Sequence, residues 1–349
     1  PYLCQGCGIC ATACPSGAIT YAYPPAPDLL AAIRRTLRAY REAGGESPCL
    51  LFHDGEGGAD TVAAAADDLP ERVLPLQVEE TPSVGMETWL AALAYGAGEV
   101  ALLHTGPAET VAARELKAQV AYAGAILAGL GYSPDRIRLV EAGDGAAAAP
   151  ELAGMGALPP VAAAGFAAQG GKRDILRMAL GHLHEQAPEP AETAPLPEGA
   201  PFGEIRVDPD ACTLCMACVS ICPAGALLDG EERPQVRLLE GNCVQCGLCE
   251  STCPEDAISL NPRMAYVPEI YKRDRVLHEE EPFHCIVCGQ PFATRSMVDR
   301  MTEKLGGHWM YQDSRAMVRR IRMCADCRVK DIFAEEAGID VHNKPGGSE

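Results

Sequence analysis

Between Cys212 and Pro254 the chain repeats one cysteine pattern twice, and this stretch restricts the possible folds more than any other. The first copy reads Cys212-Thr-Leu-Cys215-Met-Ala-Cys218-Val-Ser-Ile-Cys222-Pro223, and the second Cys243-Val-Gln-Cys246-Gly-Leu-Cys249-Glu-Ser-Thr-Cys253-Pro254. Three thiolates on one tight loop can grip three irons of a [4Fe–4S] cube, while the fourth cysteine, carried onto the following helix, points at the neighbouring cube. The spacing therefore assigns Cys212, Cys215, Cys218 and Cys253 to one cluster, and Cys243, Cys246, Cys249 and Cys222 to the other. Each fourth cysteine is followed by a proline, which fixes the local dihedral and removes an N–H donor. Ala217 and Gly247 leave room for inorganic sulfide and free backbone amides to bond it. A disulfide framework or a zinc site is the competing reading, and neither calls for eight cysteines at this spacing with both prolines.

The doubled motif resembles that of the bacterial two-cluster ferredoxins. Seventeen cysteines are present: twelve fall in such repeats, four in two Cys-x-x-Cys pairs, and Cys49 stands alone. This grouping points to metal in a reducing compartment, so a cytoplasmic protein is expected. No apolar run reaches the roughly 18 residues that would suggest a membrane span. A formal charge of −19 disfavours nucleic acid and anionic lipid, and favours docking on basic patches of partner proteins. The length of 349 residues suggests two or three domains.

A third copy opens the chain: Cys4-Gln-Gly-Cys7-Gly-Ile-Cys10-Ala-Thr-Ala-Cys14-Pro15. By the same geometry Cys14 serves a neighbouring cube, while Cys4, Cys7 and Cys10 need a fourth ligand. The expectation is a piece of a longer protein whose upstream half completes further [4Fe–4S] clusters. Cys49 is a possible stand-in ligand, although an isolated cysteine heading an apolar strand is more often a small buried hydrophobe.

From Pro48 to Ala142 strands and helices alternate. Apolar runs at 48–53, 72–78, 99–104 and 136–140 are expected as strands, with helices at 57–67, 84–95 and 107–130. Thr105 is the candidate N-cap of the last helix, with Pro107 in its first turn. Continuous apolar strands with helical crossovers imply a parallel sheet covered on both faces, a small Rossmann-like α/β domain. Gly55-Glu-Gly57-Gly58 invites a phosphate-loop reading but lacks the dinucleotide fingerprint, and Gly serves a tight strand-to-helix turn equally well. His53 and His104 sit at strand ends, where open α/β sheets place their sites, and are read as loop histidines. Arg-Glu-Leu-Lys-Ala-Gln at 114–119 and Tyr132-Ser-Pro-Asp135-Arg136-Ile-Arg138-Leu139-Val140 resemble the delta-subunit domain of methyl-viologen-reducing hydrogenases. That resemblance implies a [2Fe–2S] cluster held by cysteines near the strand ends. This chain has His53-Asp54-Gly55, Val78-Glu79-Glu80 and His104-Thr105-Gly106 there instead, so a docking scaffold without cluster or dinucleotide is expected.

Residues 143–203 are rich in Ala, Pro and Glu and read as a semi-rigid tether with one amphipathic helix near 172–186, its His182 and His184 facing solvent. Beyond the ferredoxin-type repeat comes a connector, then Cys285-Ile-Val-Cys288 and, after 35 residues, Cys324-Ala-Asp-Cys327. Four thiolates in two such pairs suit a structural zinc, and a single rubredoxin-type iron is the alternative. Trp309 and Tyr311 are expected to pack this knuckle, with His284 and His308 as neighbours rather than ligands. The order of segments, with Glu281-Pro-Phe-His-Cys-Ile-Val-Cys-Gly-Gln-Pro-Phe-Ala-Thr-Arg295 and Gly306-Gly-His-Trp-Met-Tyr-Gln312, resembles the 4Fe–4S ferredoxin-like proteins associated with molybdenum formate dehydrogenases.

The expected architecture is multi-domain, α+β and α/β. It comprises a partial ferredoxin motif (1–24), a Rossmann-like domain with a small parallel sheet (25–145), a linker with one helix (146–203), a two-cluster ferredoxin-like domain (204–263) and a C-terminal Cys4 zinc-type module (264–345). Electron transfer between redox protein partners, with formate dehydrogenase as the partner the resemblance implies, is the leading functional reading. An accessory or assembly factor for a molybdoenzyme is the alternative. No catalytic residue stands out.

Overall fold

The computed structural model of the chain describes residues 4–142, 150–151, 154, 156–231, 233–306 and 315–338. Two compact units are formed: Pro1–Glu204 with Cys243–Cys246 and Pro262–Lys272, and Ile205–Asn242 with Gly247–Asn261 and Arg273–Glu349.

The first unit is built on strands β1 (Cys49–His53), β2 (Val73–Gln77), β3 (Glu99–His104) and β4 (Ile137–Glu141), in the order β2-β1-β3-β4. All pairings are parallel; Leu50 aligns with Leu74 and Val100, and Leu102 with Leu139. Every residue of β1 and β3 is buried, as the two middle strands of a sheet covered on both faces must be. Alternation splits them between two cores. Leu50, Phe52, Val100 and Leu102 join the large one, whereas Cys49, Leu51, Ala101 and Leu103 face a smaller one with Val62.

Among the described residues the helices of this unit include α1 (Ile9–Ala13), α2 (Ala26–Glu42), α3 (Gly57–Ala64), α4 (Met86–Ala94), α5 (Val111–Ala128) and α6 (Lys172–Glu185), with a short helix at Pro268–Tyr271. Helix α2 lies outside the expected set, although Leu30, Ile33 and Leu37, all buried, stand at helical spacing. Helix α5 starts later than expected. Its N-cap is Thr110, whose hydroxyl accepts from the Ala113 N–H at 3.1 Å, while Thr105 donates to Asp54 Oδ2 at 3.2 Å.

The described part of 156–203 is not a tether. Helix α4 is apolar on every side, with Trp89, Leu90 and Leu93 buried, so it needs cover beyond the sheet. Helix α6 supplies it through Ile175, Leu176, Ala179, Leu180 and Leu183. The segment before α6 is also tied down: Ala164 N–H donates to Ala94 O at 2.8 Å, and Arg136 to Pro159 O at 2.9 Å. His182 and His184 are half-buried rather than solvent-facing. Their Nε2 atoms lie 2.6 Å from Ala162 O and 3.0 Å from Ala191 O, because α6 packs along these returning segments.

In the second unit Leu227–Asp229, Gln235–Leu238 and Arg275–Glu279 form an antiparallel sheet, with Gln235–Leu238 in the middle. Residues 275–279, expected within the C-terminal module, thus complete the sheet of the ferredoxin-type repeat instead. A hairpin of Pro282–His284 and Pro291–Thr294 follows, then the helices Arg295–Gly306, Arg315–Ile321 and Ala325–Gly338. Phe283, Val298 and Ile321 make its small apolar core, with Phe292 edge-on to Phe283 at 6.0 Å. His308, Trp309 and Tyr311 lie outside the described residues.

Candidate iron–sulfur and metal sites

All three cysteine repeats have the same backbone. The second residue after each first cysteine is left-handed, Gly6, Leu214 and Gln245 with φ of 75°, 52° and 53°. The fourth is too, Gly8, Met216 and Gly247 with φ of 75°, 62° and 77°. Left-handed turns in succession aim peptide N–H groups inward as an anion-binding nest. Leu214, Met216 and Gln245 adopt a conformation costly for side-chain-bearing residues, a strain that clusters at functional sites. Each loop then runs into a five-residue helix, Ile9–Ala13, Ala217–Ile221 or Leu248–Thr252, and leaves it through Cys14, Cys222 or Cys253 in an extended conformation.

Cys212, Cys215, Cys218 and Cys253 line one small cavity, closed by Val236 and Ile258. Backbone N–H groups point at sulfur here: Leu214 to Cys212 Sγ at 3.4 Å, and Ala257 to Cys253 Sγ at 3.3 Å. Burial pushes the Cys218 thiol up to about 11, and the charges of Cys212, Cys215 and Cys253 add to it. Burial raises Cys212 as well, with repulsion from Cys253 and Cys215 opposing its bond from Leu214. Four thiolates can share this space only with a cation among them, which is the donor chemistry an iron–sulfur cube meets.

Of the remaining repeat cysteines, Cys243 and Cys249 are buried, Cys222 is half-buried and Cys246 is exposed. Cys222 Sγ accepts from Ala226 N–H at 3.3 Å, the counterpart of the Ala257–Cys253 bond. Gln245 Nε2 donates to Cys243 Sγ at 3.3 Å and to Glu204 O at 3.0 Å. In the N-terminal repeat Cys4 and Cys10 are exposed, while Cys7 and Cys14 are half-buried. Burial opposes ionisation of Cys14, but the Ser16 hydroxyl and the N–H groups of Ile19, Ser16 and Ala18 outweigh it and bring the thiol down to about 7.

Cys7 also borders a crevice of about 900 Å³ at the carboxyl ends of the parallel strands. The chain leaves β1 and β3 toward opposite sides of the sheet here, the switch point at which α/β folds bind ligands. Its lining is acidic: Asp54, Glu56, Glu79, Glu80 and Glu109. Asp54 Oδ1 accepts from the N–H groups of Gly58 at 2.7 Å and Glu56 at 3.1 Å. A carboxylate of the chain therefore takes the place at the start of α3 where a phosphate would bind. Burial raises Glu80, with Asp54, Glu56 and Glu79 adding to it. His53 and His104 are not loop residues, since each ends a strand and is buried. Burial keeps His104 below the usual imidazole range. Cys49 opens β1, at the opposite end from His53; burial and then Glu99 push its thiol up to about 12, as suits a core residue.

Cys285, Cys288, Cys324 and Cys327 place their sulfurs within 4.8 Å of one another. Cys288 Sγ and Cys324 Sγ are 3.7 Å apart. A tetrahedral metal with bonds near 2.3 Å separates its sulfurs by about 3.8 Å. N–H groups of Cys324 at 3.3 Å and Val287 at 3.5 Å point at Cys285 Sγ. Burial raises Cys285, but N–H groups of Cys288, Cys324 and Val287 prevail and bring it down to about 6, while burial and the neighbouring sulfurs push Cys327 up to about 12; four thiolates therefore need a cation among them.

The chain thus carries two [4Fe–4S] ferredoxin-type cysteine domains and one group of four cysteines that could hold a metal. In agreement, the 4Fe-4S dicluster domain family matches residues 211–258, and the 4Fe-4S binding domain family matches residues 1–20. No curated protein matches the chain. Among the described residues no helix is long and apolar enough to cross a membrane.

Proposed function

We propose that the chain is an electron-transfer protein or subunit that passes single electrons between redox protein partners. The gathering of Cys253 with Cys212, Cys215 and Cys218 in one cavity carries this reading, because a displaced fourth cysteine serves paired cubes. In it, Cys212, Cys215, Cys218 and Cys253 hold one [4Fe–4S] cluster, and Cys243, Cys246, Cys249 and Cys222 a second. Cys4, Cys7, Cys10 and Cys14 are ligands for further [4Fe–4S] binding by the N-terminal repeat. Cys285, Cys288, Cys324 and Cys327 hold a structural zinc. Such clusters supply one-electron storage, and the protein sets their potentials through N–H bonds to sulfur, nearby charge and burial.

The order of segments, by its resemblance, favours a formate dehydrogenase as partner, and the grouping of the cysteines favours a cytoplasmic setting. The acidic chain would meet a basic docking patch, with rates that fall as salt rises. Anaerobic co-purification with a formate dehydrogenase, followed by formate addition, tests the reading; bleaching of the cluster absorbance is expected. A stable complex whose clusters stay oxidised under formate, yet are reduced by dithionite, would replace electron transfer with the assembly-factor role.

A further inference from the structure

Arg173, the second residue of α6, stands where two cysteine repeats meet. Its Nε donates to the carbonyl of Pro15, which follows Cys14, at 3.1 Å. Nη2 donates to the carbonyl of Cys243 at 2.9 Å and to that of Pro201 at 2.8 Å. The guanidinium lies over the Phe202 ring at 5.1 Å, which limits its contact with water. Lys172 beside it donates to the carbonyls of Ala11 and Thr12 at 2.8 and 2.6 Å, fixing the end of α1. One turn of helix thus clamps the N-terminal repeat with two cations, and one of them reaches on to the first cysteine of another repeat.

We propose that Arg173 is the positioning residue that raises the reduction potential of the cube ligated by Cys243 and couples it to the N-terminal repeat through Cys14–Pro15. The inference rests on the electron-transfer reading above. Reducing a cube adds one negative charge. A fixed, poorly hydrated cation beside a ligand stabilises that charge more than bulk water would. The backbone contacts give the same residue a second effect. A single guanidinium links Pro15 and Cys243, which holds the two repeats at a fixed separation. With cubes bound, the link through Pro15 and Cys243 would hold the ligands of the two repeats in place while a single electron passes, with no atom or proton transferred.

The test is a redox titration of the full chain followed by electron paramagnetic resonance, with the Cys243 cube identified by the signal lost in Cys243→Ala. Arg173→Gln should make this cube at least tenfold harder to reduce, a fall of about 59 mV for one electron. Arg173→Met is the alternative charge-removing variant if Gln does not assemble. Arg173→Lys keeps the charge and loses the fork, so it should recover most of the potential. Full iron content with every reduction equilibrium constant within twofold of the parent in either charge-removing variant would overturn the inference. So would a fall in Arg173→Lys as large as in Arg173→Gln. A parent chain that assembles no cubes anaerobically would instead refute the electron-transfer reading, and this inference with it.

Discussion

The Thr294 hydroxyl donates a 3.0 Å hydrogen bond to the carbonyl of Thr213, the residue that follows Cys212. Arg300 adds contacts to Glu255 Oε2 at 3.1 Å and Ala211 O at 3.2 Å, on either side of the same cysteine cavity. The Cys4 module therefore braces the loop that carries Cys212. Thr294→Val removes this bond and the one that Oγ1 accepts from Met297 N–H at 3.1 Å, so it should cost about 2 kcal/mol. Its effect should appear as faster bleaching in air of the cluster on this loop. Stripping the Cys4 metal with a chelator should accelerate the same bleaching, and equal rates before and after would disconnect the two sites.

Because Cys253 and Cys212 line one cavity, they are expected to act on the same cluster. Either alanine variant should lose about half of the iron bound by residues 204–263, and the double variant no more than either alone. Combining Cys253→Ala with Cys222→Ala should remove the rest. Iron analysis after anaerobic purification decides it, and additive loss in the Cys212/Cys253 pair would be the wrong result.

Leu180 of α6 is 2% exposed in the main core. Leu180→Ala should lower stability by about 2–5 kcal/mol, the range for emptying a packed leucine site. A tether helix would lose almost nothing. Chemical denaturation read by the fluorescence of Trp89, which is fully buried in the same core, measures the difference.

Cys49 should resist thiol reagents at pH 8 while the protein is folded and react once it unfolds. Burial raises its folded thiol from 9.0 to about 12. The sign follows from linkage: below 9 both states are protonated, so the group adds no pH dependence. Between 9 and 12 only the unfolded thiol ionises, so stability falls as pH rises. Cys49→Val should flatten that alkaline slope. Labelling of native protein at pH 8, with the iron-free cysteines counted as controls, checks the first claim.

The gathering of Cys212, Cys215, Cys218 and Cys253 was legible in the sequence because the spacing of a loop is local. The spacing of Cys212, Cys215 and Cys218 places three sulfurs on one turn, and the proline after Cys253 marks the displaced fourth. The strand positions of the α/β sheet were legible for a similar reason, since uninterrupted apolar runs can be buried only between covering layers. The left-handed turns at Gly6, Gly8 and Gly247 suit glycine, but those at Leu214, Met216 and Gln245 could not be read from residue type, because a shared chain path rather than residue preference holds them there. What only tertiary structure decided depends on contacts across long stretches of chain. An Ala- and Pro-rich stretch looks like a tether until α4 demands a second apolar partner. Residues 275–279 look like a connector until the Gln235–Leu238 strand offers an open edge. The bonds of Arg173 and Thr294 end on backbone carbonyls, which every residue possesses. Such acceptors leave no mark in a sequence, so the links between its motifs exist only in the fold.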